Sequence, residues 1–185
     1  MYLRRLWILC IMLFALGSTS CTPTREAVRR IYLPNNAEAT LTQLAEDLTQ
    51  ALRMPLSKDE DDLGLYAFVA DWLGTPYRFG RNSKQGTDCS GFVYLLYKDV
   101  YKLDVGRASS ADLMSKTKTL SRAELKEGDM VFFNINNRRN GRASHAGVYL
   151  KDGKFAHAST RRGVIISSLS EPYYNRTFIA GGRIQ

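Results

Sequence analysis

The sequence predicts an α+β fold in which helices come first and a small antiparallel sheet follows. Three observations predict it. Apolar residues recur at helical spacing up to about residue 100. Beyond Gly106 they gather instead into short runs of strand length. Asp152-Gly153 stands between two of those runs, a strong hairpin signal. Helices followed by antiparallel strands, with no alternation of the two, is the α+β pattern.

The elements follow in order. Arg4 and Arg5 precede an uninterrupted apolar run from Leu6 to Leu16, then the small residues Gly17 to Ser20, then Cys21. That order reads as an export signal, and eleven apolar residues fall short of the ~20 that span a bilayer. The small residues ending in Cys21 resemble a bacterial lipoprotein signal, with Ser18 where leucine is usual. The resemblance implies a lipid on Cys21 and hence a membrane anchor; the alternative is cleavage nearby with Cys21 unmodified. Residues 22–36 are polar, hold Pro23 and Pro34, and read as a tether. Leu41, Leu44, Leu48 and Leu52 mark a helix ending near Pro55. The expected organisation is therefore 1–21 signal, 22–60 tether and helix, and 61–185 a single folded domain.

In that domain Leu65, Phe68, Val69 and Trp72 form one helical face, stopped by Gly74 and Pro76. Residues 77–88 are a polar, glycine-bearing loop. A third helix is expected from about Asp88 to Tyr101, with Phe92, Val93, Leu96 and Val100 apolar. Met130 to Phe133 reads as a buried strand, 145–150 and 154–158 as a hairpin, and Val164 to Ile166 and Phe178 to Ile184 as further strands.

The net charge of +8 falls to +6 once Arg4 and Arg5 leave. No Lys/Arg run or aromatic-basic array marks a nucleic-acid surface, so the charge reads as solubility plus weak attraction to an acidic envelope. The three cysteines are Cys10, Cys21 and Cys89. With Cys10 in the signal and Cys21 lipidated, Cys89 is a lone thiol in an exported protein, either reactive or a small buried apolar residue.

Cys89 lies where the loop turns into the third helix, in TDCSGFVYLLY. Free N–H groups and the macrodipole at a helix N-terminus favour an anion, and the thiolate is the nucleophilic form. The same N–H groups can face a developing oxyanion. A catalytic thiol also needs a base, and the chain has two histidines, His145 and His157, one on each side of the hairpin. A plain two-residue turn at Asp152-Gly153 would set 148 opposite 157 and put the imidazoles on opposite faces. A three-residue loop, Lys151-Asp152-Gly153, with a type I turn and Gly153 left-handed, sets 147 opposite 157. His145 is then diagonal to His157 on one face, ~7–8 Å away between backbones. A triad of nucleophile, base and orienter requires the second register. Zinc is the rival use of one Cys and two His, but no CxxC, HxxxH or HExxH spacing supports it.

The stretch LGTPYRFGRNSKQGTDCSGFVYLLY resembles the signature of the NlpC-type cell-wall cysteine peptidases. LKEGDMVFF, SHAGVYL, KFAHAST and YYNRTFIAGGRI resemble their later blocks, in the same order. The resemblance covers about Asp62 to Gln185 and implies a papain-like fold. It implies Cys89 as nucleophile, His145 as general base and His157 as orienter, with no metal or organic cofactor. It also implies that Tyr77, Asp88 and Ser90 line the cleft and bind substrate, with Tyr77 a packing aromatic and Asp88 a helix N-cap as the alternatives. Arg107 and Ser109 resemble a binding segment that usually reads Pro-Arg-x-Ser; Gly106 replaces its proline. The expected activity is hydrolysis of peptide bonds in peptidoglycan stems or cross-links, within the cell envelope. The alternatives are an amidase or acyltransferase on the same scaffold, and a non-catalytic wall-binding lipoprotein.

Overall fold

Helices precede strands in the computed structural model, which describes residues 37–135 and 141–184. The expected signal, tether and lipidated Cys21 lie outside the described residues. Helix α1 (Ala37–Leu52) buries Ala45, Leu48 and Leu52; of the other leucines read from the spacing, Leu44 is half-buried and Leu41, in the first turns, is exposed. Helix α2 (Leu63–Trp72) starts where the Asp62 carboxylate accepts from the Leu65 N–H. Helix α3 (Cys89–Asp99) is the third helix of the sequence reading. The two-residue strands β1 (Asn82–Ser83) and β2 (Gly86–Thr87) form a small ribbon in the loop before it. Helix α4 (Ser110–Ser115) and strand β3 (Lys118–Leu120) follow.

The remaining strands are β4 (Met130–Phe133), β5 (His145–Tyr149), β6 (Lys154–Ser159), β7 (Gly163–Ser168) and β8 (Phe178–Arg183), with helix α5 (Pro172–Thr177) before the last. The six strands order as β3-β8-β4-β5-β6-β7, and every pairing is antiparallel. The fold class is thus α+β, as read from the sequence.

Strand β4 explains why a continuous apolar run was legible there. Side chains alternate across a strand, yet all four of its residues are buried. Met130 and Phe132 join the main core, packed with Phe92, Val93 and Leu96 of α3, Val148 of β5 and Ala156 of β6. Val131 and Phe133 face the other way, into a second cluster with Phe155, Leu169 and Tyr174. Helix α1 belongs to the main core too, through Ala45, Leu48, Leu52 and the nearby Met54.

The β5–β6 hairpin has the register that the triad requires. Val148 pairs with Ala156 and Tyr149 with Phe155, which brings 147 opposite 157. The turn differs in detail from the expected one. Asp152 (φ 54) as well as Gly153 (φ 73) is left-handed, and the Lys154 N–H donates to the Lys151 carbonyl at 2.9 Å. Positive φ at both central residues is the signature of a type I′ turn over 151–154. The extra residue that shifts the register is therefore absorbed at Leu150-Lys151, where the Leu150 N–H donates to the Lys154 carbonyl. The Lys151 ammonium, 2.8 Å from both oxygens of the buried Asp61 carboxylate, fastens this turn to the segment before α2.

A Cβ on Gly153 would meet nothing within 4 Å, so substitution there costs backbone strain rather than space. Gly153→Val is expected to destabilise the chain by about 1–3 kcal/mol and to lower catalytic turnover by shifting His157 against His145. Thermal melting and turnover, measured on the same preparation, check both halves.

Candidate active site

The sequence turns into helix at Asp88, and that turn builds the site. Asp88 has extended backbone, and its Oδ1 accepts from the Gly91 N–H at 2.7 Å, which fixes the first turn of α3. Cys89 is the first helical residue, and its thiol is free and half-buried. Asp88 is itself buried, 5 % exposed, and its remaining acceptor capacity is used. Oδ2 accepts from the Gly80 N–H at 2.7 Å and from Arg107 Nη2 at 2.9 Å. Oδ1 also accepts from the Ser90 hydroxyl at 3.2 Å, while Arg107 Nη1 donates to Ser90 Oγ at 3.0 Å. Three residues picked out in sequence, Asp88, Ser90 and Arg107, thus form one network beside Cys89. Asp88 has the capping role named as its alternative, and through Gly80 it also ties down the 77–81 loop.

Tyr77 is held to the same region by a bridge to Thr87. Burial, and then negative charge at Cys89 and Asp88, holds its phenol above the ordinary value. It therefore stays a hydrogen-bond donor through the neutral range. Ser109 is an exposed helix cap: its Oγ accepts from the Asp112 N–H at 3.2 Å and donates to Asp112 Oδ2 at 2.6 Å. The next residue, the buried Ser110, lies against the Cys89 thiol, with Oγ 3.5 Å from Sγ. Sequence reading missed Ser110 because two adjacent serines carry no signal of which one caps and which turns inward.

The histidines come from neighbouring strands. His145 opens β5 opposite Phe133, and His157 lies in β6 opposite Ile165. His145 Nε2 is 2.9 Å from His157 Nδ1, with the ring planes at 88°. The pair therefore shares one face, as the register argument requires. With Nε2 engaged, Nδ1 is the nitrogen of His145 outside this contact. Phe155 stacks on the His157 ring at 4.9 Å.

Gly147, across from His157, is a further site residue that the sequence did not reveal. A Cβ there would lie 2.6 Å from the Ala156 carbonyl oxygen, 2.9 Å from Phe155 Cδ2 and 3.1 Å from His157 Cβ. Its lack of a side chain lets the two imidazoles approach.

Both histidines are buried, and burial of an unpaired cation is unfavourable. Desolvation lowers His145 to about 4. Burial first, then His145 and Arg162, hold His157 well below the ordinary value. Both rings are neutral at neutral pH, and a neutral imidazole can take a proton. The unfolded chain binds protons on these histidines below pH 6.5 where the folded chain does not. Their stability contribution is therefore fully present above pH 6.5 and is lost as the pH falls through the folded values. For His145 alone the expected loss is on the order of 3 kcal/mol by pH 4. Urea unfolding at pH 7.5 and pH 4.5, with an NMR titration of the His145 ring, checks this; an ordinary His145 titration near 6.5 would contradict it.

Known proteins share this fold and sequence. The NlpC/P60 family model matches residues 74–183. A Haemophilus influenzae protein named "Probable endopeptidase NlpC homolog" is 34% identical over 186 residues, 96% of this chain and 97% of that protein. The Escherichia coli protein named "Murein DD-endopeptidase MepS/Murein LD-carboxypeptidase" is 39% identical over 115 residues, 62% of this chain and 58% of that protein. The crystal structure of an NlpC/P60 family protein from Bacillus cereus superposes with a TM-score of 0.58 at 27% identity, covering 65% of this chain and 38% of that one. The matched segment carries Cys89, His145 and His157 together with the sheet that aligns the two imidazoles, and the chain belongs to the NlpC/P60 family.

Proposed function

We propose that this chain is a cysteine endopeptidase that hydrolyses peptide bonds in the stems or cross-links of peptidoglycan. The observation that carries the reading is the buried His145–His157 pair at 2.9 Å, within a fold that starts helix α3 on a free thiol. The names of the relatives, murein endopeptidases among them, support the polymer.

His145 Nδ1 takes the proton of the Cys89 thiol as the sulfur attacks the amide carbon, and the oxyanion forms near the N–H groups that open α3. The C–N bond breaks as the His145 imidazolium, at Nδ1, gives its proton to the departing amine, leaving a thioester on Cys89. His145 then takes a proton from water as the water oxygen attacks the thioester; the C–S bond breaks, the carboxyl product leaves, and His145 returns the proton to the Cys89 sulfur. His157 holds His145 in place through Nε2. Tyr77, still protonated, donates a hydrogen bond to the scissile carbonyl. The Asp88–Ser90–Arg107 network supplies polar groups for the stem peptide, and Ser109 shapes the rim by capping α4.

Export and a lipid on Cys21 would place the enzyme in the cell envelope, facing its substrate. No helix among the described residues is long and apolar enough to cross a membrane. Two or more acyl chains suffice for stable anchoring, so Cys21→Ala should release the protein from membranes on fractionation.

Mass spectrometry of purified peptidoglycan digested by the protein tests the function. The expected products carry new amine and carboxylate ends within the peptide stems, with the glycan linkages intact. Cut glycan, or no new peptide ends, would refute the proposal.

A further inference from the structure

The orienting histidine is not the end of the site's hydrogen-bond chain. His157 Nε2 lies 3.1 Å from the Tyr174 hydroxyl of α5 and 3.2 Å from the Ser167 hydroxyl of β7. The two hydroxyls thus converge on the same ring nitrogen. His157, Ser167 and Tyr174 are all buried, packed among Phe133 and Phe155. Among the described residues, no carboxylate hydrogen-bonds to either imidazole.

We infer that Ser167 and Tyr174 form a hydroxyl pair that holds His157 as its Nε2–H tautomer, so that both act as positioning residues for the reaction. The inference rests on the reading of His145 as general base. When His145 takes a proton on Nδ1, both of its ring nitrogens carry hydrogen, and Nε2–H points at His157 Nδ1. That nitrogen must then accept. A neutral imidazole has one N–H, so His157 has to carry its proton on Nε2, and a buried N–H needs an acceptor. The available acceptors are the two hydroxyl oxygens. Each hydroxyl oxygen carries lone pairs beside its own proton, so either can accept from His157 Nε2–H.

The other tautomer shows why this matters. With Nδ1–H on His157, His145 Nε2 becomes the acceptor and the His145 proton moves to Nδ1. The nitrogen that must act as base is then already protonated. The hydroxyl pair therefore decides whether the base is available, without touching substrate. The pair is also redundant: either hydroxyl alone can accept from Nε2–H, and only removal of both strands it.

The chain has two histidines, so nitrogen NMR of full-length protein labelled in histidine can assign both rings. At pH 7.5, His157 is expected to show a protonated Nε2 and an unprotonated Nδ1. Ser167→Ala and Tyr174→Phe should each lower kcat by no more than about 3-fold, because one acceptor remains. The double variant should lower kcat by about 10- to 100-fold, the cost of stranding one buried donor. It should also leave KM unchanged and shift His157 toward Nδ1–H. Returning a hydroxyl with Ser167→Thr beside Tyr174→Phe should restore kcat and the tautomer. A wild-type spectrum with His157 protonated on Nδ1 would overturn the inference, and it decides the matter even if the double variant fails to fold. So would a folded double variant that keeps both tautomer and turnover. A failure of the peptidase reading looks different: His145→Ala would leave hydrolysis intact, whatever the spectrum shows.

Discussion

Cys89→Ser is expected to lower hydrolysis of peptidoglycan peptides by at least about 10⁴-fold while leaving the fold unchanged. Losses of that size are what removal of one member of a catalytic triad produces. The exchange is close to isosteric, and Cys89 is half-buried rather than a core residue, so the packing of α3 survives. What disappears is the thiolate, because a serine hydroxyl ionises too weakly to replace it. Peptide release measured by chromatography, with circular dichroism and melting on the same sample, separates lost chemistry from lost structure. Hydrolysis at more than a few per cent of wild type would move the nucleophile elsewhere.

Gly147→Ala is expected to act through packing, and at two levels. The added methyl has no space: 2.6 Å to the Ala156 carbonyl oxygen involves backbone, which cannot swing aside as a flexible side chain can. Strands β5 and β6 must part locally, at about 1–3 kcal/mol of stability. The same contact pushes on His157 Cβ, so the 2.9 Å link to His145 opens. A misplacement near 1 Å in a catalytic constellation costs about 100-fold in rate. The variant should therefore melt early and, well below its melting point, still show a depressed kcat. A variant of normal kcat would show that the imidazole pair tolerates a wider sheet.

Much of this was legible in the sequence, for identifiable reasons. Helices α1, α2 and α3 each bury one face, so their apolar residues recur at the helical period. Strand β4 is central with both faces covered, so it reads as MVFF without alternation. Cys89, His145 and His157 stood out because such residues are few. The hairpin register was legible because only one of two pairings put the histidines together, although the turn reaches that pairing by a route that uses Asp152 as well as Gly153. Strand β3 was not legible: it has three residues at a sheet edge and buries only Leu120. Helices α4 and α5, of six residues each, are too short to show a period. Ser110, Gly147, Ser167 and Tyr174 gain their roles from how separate strands and helices meet. Nothing local distinguishes Ser110 from Ser109, or Tyr174 from its neighbour Tyr173, which is 45% exposed.

The most direct test of the central claim, that Cys89 is the nucleophile served by His145, is affinity labelling. A stem peptide bearing a chloromethyl ketone at the position of the scissile carbonyl presents an electrophile only to a correctly placed thiolate. Peptide mapping by mass spectrometry should find one adduct per chain, on Cys89, formed in step with loss of hydrolysis. His145→Ala should slow its formation at least about 100-fold. Inactivation with the adduct on another residue, or labelling of Cys89 that leaves hydrolysis intact, would contradict the account.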